Sequence, residues 1–214
     1  KNPKETTMGL LKLFQSRGGS YIKEEVTNIN MYSNNQVNIL TDKGSSKYDK
    51  IIVCAGVWSK KIAELFGDTV PLEGETGYHI VYNNFHKTKH PVAWQERGSY
   101  FTPMNDGLRV GGTVEFAGLE RDLNKKIIAF LSRAAKQVFP ELEHYDQEWA
   151  GFRPSVPDSL PVIGQSKKNP YIYYCFGHQH LGWSLGGITG KIIAQDVCTN
   201  KTDIDLEPFS IGRF

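Results

Sequence analysis

Apolar residues at Met8, Leu10, Leu11, Leu13 and Phe14 predict a helix over residues 6–15. Thr6 or Thr7 would cap it, and Gly18-Gly19 would stop it. Two strands are expected next, over residues 21–29 and 36–41, turning at Asn34-Asn35. Residues 50–54 carry the continuous apolar run Ile51-Ile52-Val53-Cys54, ending at Ala55-Gly56. Such a run predicts a strand covered on both faces. A short helix over residues 58–66 should follow, closed by Gly67.

From Val70 the pattern alternates. Residues 78–82, 92–95, 99–103 and 108–114 predict an antiparallel meander, with Asp106-Gly107 as a hairpin turn. Ile127, Ile128, Leu131, Ala134, Ala135 and Val138 then recur at helical spacing, predicting an amphipathic helix on that sheet, ended by Pro140. Residues 148–152 and 171–176 predict further strands, and residues 184–198 a second long helix. That helix holds Gly186, Gly187 and Gly190, each costing roughly 1 kcal/mol against alanine, which predicts close approach to its backbone.

The chain has 214 residues, 39% of them hydrophobic, so one large or two small domains with a buried core are feasible. A net charge of +2 favours neither a nucleic-acid track nor strong membrane electrostatics. No apolar run approaches the roughly 20 residues of a spanning helix. The opening Lys1-Asn2-Pro3-Lys4 suggests a piece of a longer polypeptide. Cys54, Cys175 and Cys198 form no even framework and read as buried thiols in a reducing compartment.

The densest chemistry lies in residues 151–164, GFRPSVPDSLPVIG, and residues 176–184, FGHQHLGWS. Arg153 offers a planar fork that matches a carboxylate, and Pro154 and Pro157 suggest a kinked, stiffened backbone around it. The alternative is a structural salt bridge with Asp158 or Glu148. Residues 177–184 form a glycine-rich turn running into a helix, whose free N–H groups and dipole would favour an anion. The bland alternative is an ordinary strand-to-helix turn. Cys175, His178 and His180 match no standard zinc spacing, so no metal is expected. No Gly-x-Gly-x-x-Gly turn occurs.

Together these segments resemble the D-amino acid oxidase-like family of flavoproteins, which includes bacterial D-amino acid dehydrogenases and glycine and sarcosine oxidases. The likeness covers nearly the whole chain. It rests on residues 51–59 (IIVCAGVWS), 74–78 (GETGY), 108–113 (LRVGGT), 151–164, 177–190 and the tail from Asp203 to Ser210. The resemblance implies an α+β fold: an antiparallel substrate domain over residues 70–150, flanked by parts of an FAD-binding α/β domain at 1–69 and 151–214. The amino-terminal glycine-rich unit of that domain is not in this sequence, so the chain resembles a carboxy-terminal portion.

The implied cofactor is FAD, and the implied reaction is oxidative deamination of a D-amino acid by hydride transfer to flavin N5. A glycine- or sarcosine-type amine oxidase, or a non-catalytic fragment needing its amino-terminal half, are the alternatives. By the same resemblance, Arg153 would grip the substrate carboxylate, with Tyr78 and His180 beside it. Gly177, His178, His180, Leu181, Gly182, Trp183 and Ser184 would line the flavin's pyrimidine end. Ala55, Gly56 and Trp58 would touch the flavin, and Val26 would offer backbone to its adenine. The implied partners are an amino-acid substrate, the amino-terminal FAD-binding segment and a quinone or other respiratory electron acceptor. The implied location is the cytoplasm, with peripheral attachment to the inner membrane as the variant.

Overall fold

The computed structural model describes residues 3–31, 36–119 and 122–214. The expected Asn34-Asn35 turn lies outside the described residues. The chain divides into two compact units. One holds residues 1–23 and 76–151, and the other residues 24–75 and 152–214. The sequence expectation had put residues 1–69 together, whereas the structure groups the first helix with the sheet unit.

That helix, α1 (Pro3–Ser16), buries none of its residues, and Met8, Leu10, Leu13 and Phe14 are exposed. Strands β1 (Val26–Met31), β2 (Val37–Thr41) and β3 (Gly44–Tyr48) form a small antiparallel sheet in that order. The polar β3 was not expected, because GSSKY has neither alternation nor branched apolar residues. Its partner supplies the apolar side, with Val37 fully buried opposite Tyr48.

β4 (Ile51–Val53) is followed by a 3-10 turn at Gly56–Trp58 and α2 (Ser59–Leu65). β5 (Glu73–Asn83), β6 (Val92–Trp94), β7 (Ser99–Met104) and β8 (Gly107–Phe116) form the expected meander. β9 (Gln147–Ser155) completes a five-stranded sheet ordered β6-β7-β8-β5-β9. The β7–β8 turn sits one residue earlier than expected. Met104 already pairs with Gly107, so Asn105-Asp106 turn the chain. Gly107 is needed for a different reason: its φ is +148°, and a Cβ there would lie 2.1 Å from the Tyr82 carbonyl oxygen.

Helix α3 (Lys125–Val138) starts where the Asn124 side chain accepts a hydrogen bond from the Lys126 N–H. It buries Ile128, Leu131 and Ala135 against Tyr78, Ile80, Phe101, Leu108 and Val110 of the sheet. Burying a side chain the size of Leu131 contributes about 1.5–3 kcal/mol, so α3 is held mainly by this stripe.

In the other unit, β10 (Val162–Gln165), β11 (Ile172–Phe176) and β4 form a three-stranded sheet in that order. β11 runs parallel to β4, with Tyr174 opposite Val53. Helix α4 (Gly182–Thr199) covers one side through Ile192 and Ile193 against Ile163 and Tyr173. Asn200 ends it in the left-handed conformation, with φ +52°. β4 was expected to be covered on both faces. Instead Ile52 is exposed, and within the described sheet β4 is an edge strand. Buried Asp68 accepts hydrogen bonds from Ser166 and, at 2.8 Å, from Tyr174. Burial first, and Asp68 second, push the Tyr174 phenol upward.

Candidate functional site

Arg153 stands in β9, not on a kinked segment. Pro154 is tolerated there because β9 is an edge of its sheet, where a missing N–H costs no ladder bond. The Arg153 Nη1 donates to Glu75 Oε1 at 2.8 Å, and Ser155 Oγ donates to Glu75 Oε2 at 2.9 Å. One carboxylate on β5 thus fixes two side chains projecting from the same side of β9. Neither salt-bridge partner expected from the sequence is used. Asp158 pairs with Arg213 at 2.7 Å, and Glu148 pairs with Lys125. The Arg153 side chain remains 35% exposed, so donors of the fork beyond Nη1 stay open to a carboxylate.

The glycine-rich turn is bound directly to this segment. Gln179 N–H donates to the Pro154 carbonyl at 3.1 Å, and its side-chain Nε2 donates to the Val156 carbonyl at 3.0 Å. Gln179 has φ +50°, a conformation uncommon for a residue with a Cβ. Gly177, with φ +82°, begins the same bend. The two side-chain and backbone bonds hold Gln179 where local preference alone would not.

Leu181 forms the amino end of α4 without a side-chain cap. The first N–H groups of a helix lack intrahelical partners, so this end favours a carbonyl or anionic edge. His180, Leu181, Trp183 and Ser184 are exposed around it, and Gly182 is half-buried. His178 is half-buried, its Nε2 has no hydrogen-bond partner among the described residues, and burial pushes its imidazole below the usual range. A neutral ring nitrogen in that position suits a polar ligand atom. No neighbouring atom comes within 4 Å of a Cβ placed at Gly186, Gly187 or Gly190, so this backbone is open.

The loop after β4 meets β9 from another side. Trp58, 55% exposed, packs edge-on to Phe152, with ring centroids 6.4 Å apart. Gly56 has φ +57°, and Ala55 accepts the Trp58 N–H at 3.1 Å. Ala55, Gly56, Trp58, Arg153 and residues 177–184 therefore belong to one connected region of this unit. Val26 begins β1 and is exposed.

Tyr78 belongs to the other unit. Its side chain is 3% exposed beneath α3, and its hydroxyl donates to Glu115 at 2.7 Å. The next residue, His79, lies on the opposite face of β5, stacked on Trp149 at 4.9 Å. Burial, and then the Arg109 charge, lower the His79 pKa to about 4. Arg109 keeps a buried Nε without a partner among the described residues. Glu75 and Gln179 lie in segments singled out from the sequence, but their pairing with β9 was not read there. Such pairing is not readable from local pattern alone.

The cysteines also need correction. Cys54 and Cys198 are exposed, and only Cys175 is partly buried. Among the described residues, no group of three His, Cys, Asp or Glu side chains is placed to hold a metal ion. No helix among them is long and apolar enough to cross a membrane.

A family model described as FAD dependent oxidoreductase, DAO, matches residues 2–196. The chain is 34% identical over 203 residues to a D-amino-acid oxidase of Bradyrhizobium diazoefficiens, covering 92% of this chain and 48% of that protein. It is 29% identical over 196 residues to a D-amino acid dehydrogenase of Vibrio atlanticus, covering 89% and 46%. The chain thus spans about half the length of the curated relatives it matches. In fold it is similar to glycine oxidase from Geobacillus kaustophilus, with TM-score 0.81, 23% identity and coverage of 91% and 53%. It is likewise similar to L-proline dehydrogenase from P. horikoshii, with TM-score 0.86, 21% identity and coverage of 99% and 59%.

Proposed function

We propose, for a chain that belongs to the DAO family of FAD-dependent oxidoreductases, that it is the carboxy-terminal part of an enzyme oxidising a D-amino acid. The observation that carries this reading is the pair of Gln179 hydrogen bonds to residues 154 and 156. They join the backbone beside a half-exposed guanidinium to the uncapped start of α4. A carboxylate-gripping group and a dipole end suited to a flat polar edge are thereby held in one region.

The fit to FAD rests on this chain's own atoms. The uncapped amino end at Leu181, the unpartnered His178 Nε2 and the open glycine face of α4 suit a ring with carbonyl and imide groups. Gly177, His178, His180, Leu181, Gly182, Trp183 and Ser184 would hold its polar end, with Ala55, Gly56 and Trp58 beside it. When bound, the flavin supplies the two-electron acceptor for the hydride leaving the substrate Cα. Arg153 binds the substrate carboxylate with the donors that Glu75 leaves open, and Glu75 with Ser155 fixes the guanidinium plane. Fixed orientation of this kind lowers the barrier by several kcal/mol. Water later hydrolyses the imino acid.

An amino-terminal segment completes the cofactor domain, pairing along the open edge of β4. The test mixes this chain with a separately made amino-terminal half and follows flavin absorbance after gel filtration. Flavin co-eluting only with both halves supports the reading. A mixture that stays colourless under conditions where both halves are folded would overturn it.

A further inference from the structure

β11 and β4 run parallel and in register, with Tyr173 opposite Ile52 and Tyr174 opposite Val53. The next step along that ladder sets Cys175 beside Cys54. Both positions are two residues beyond an opposed pair, Tyr173 and Ile52, so both side chains project from the same face as that pair. Neighbouring strands lie about 4.8 Å apart, within the Cα separation of about 4.4–6.8 Å that a disulfide spans. Cys54 is exposed and Cys175 half-buried, so the site has access from solvent.

From this juxtaposition we infer that Cys54 and Cys175 form a reversible intrachain disulfide when the chain meets a hydroperoxide. The sulfurs already interact. Hydrogen bonding between the two thiols lowers the Cys175 thiol and raises the Cys54 thiol. Either sulfur can attack as its thiolate. The attacking thiolate takes the outer oxygen of the peroxide, breaking the O–O bond and releasing an alcohol or water after protonation. The other sulfur then displaces hydroxide from the resulting sulfenic acid, and the hydroxide leaves as water. Two thiols are oxidised by two electrons, and one peroxide is reduced.

The bridge would join the carboxyl ends of two strands, one running into Ala55-Gly56 and the other into Gly177. It forms in this chain without cofactor, so its outcome is separable from that of the flavin reading.

The test treats the reduced chain with hydrogen peroxide, blocks remaining thiols with iodoacetamide, and maps tryptic peptides under non-reducing conditions. The expected product is a monomer in which peptide 51–60 is joined to peptide 169–191, lighter by two hydrogens and separated again by dithiothreitol. Cys54→Ser should abolish it, and Cys198→Ser should leave it intact. Alkylation of both peptides after peroxide, a bridge to Cys198, or sulfinic acid at Cys175 with Cys54 still free would overturn the inference. So would a bridge found only between two molecules.

Discussion

Gln179 donates its backbone N–H to the carbonyl of Pro154 at 3.1 Å, while its own φ is +50°. A strained residue is thus held by the strand that carries Arg153. Gln179→Ala keeps the unfavourable φ and loses the side-chain bond to Val156. It should destabilise this unit by about 1–2 kcal/mol. Gln179→Gly relieves the φ and should lose less. Urea titrations of both variants check this, and equal losses would assign the whole effect to the side-chain bond.

The carboxyl tail is fixed to the same motif. Arg213 Nε and Nη2 donate to the two Asp158 oxygens at 2.7 and 3.2 Å, and Nη2 also donates to the Leu160 carbonyl at 2.6 Å. The Arg213 hydrogen bond holds the Asp158 carboxyl below its usual range. A lowered folded pKa contributes stability that is present above the unfolded value near 3.8 and lost as pH falls through the folded one. Arg213→Ala should therefore lose Tm at neutral pH and show a smaller loss of stability on acidification below about pH 4. Parallel melting curves from pH 7 to pH 3 for wild type and variant would contradict the assignment.

His79 gives a second test, in the sheet unit. Its pKa falls from 6.5 to about 4 on folding. The folded state binds fewer protons in that window, so stability is full above pH 6.5 and declines as pH falls to about 4. After allowance for screening, the decline is on the order of 1–2 kcal/mol. His79→Phe should keep the stack on Trp149 and flatten the profile. Near-ultraviolet circular dichroism against pH reads it, and an unchanged slope would remove His79 as the titrating group.

Much of the fold was legible in residue spacing. The stripe of Ile128, Leu131 and Ala135 marked α3, and the alternation through residues 99–114 marked β7 and β8. β3 and β10 were not legible. β3 is polar on both faces and owes its place to pairing with β2, while β10 lay inside the proline-flanked run at residues 157–164. For the candidate site, the glycine turn and Arg153 stood out as residue types. The Glu75 partner lies 78 residues away, and the role of Gln179 depends on a backbone angle. Neither is written in local pattern. Tyr78 and His79 show how a one-residue step along a strand exchanges one face for the other.

Glu75 sets the geometry of Arg153 and also neutralises part of its charge. Glu75→Gln keeps the shape and a weaker bond. In the full-length enzyme it should let the guanidinium wander and lower kcat more than it raises KM, because orientation rather than attraction is lost. Steady-state kinetics check this, and a pure rise in KM would assign Glu75 to substrate binding instead.

The central claim is that Arg153 holds the substrate carboxylate, and substrate kinetics of Arg153→Ala in the full-length, flavin-loaded enzyme test it most directly. A lost charge-assisted bond of about 1.5–3 kcal/mol predicts a KM for D-amino acids raised by roughly 10- to 100-fold with flavin content unchanged. An unchanged KM in a variant that retains its flavin would contradict the account.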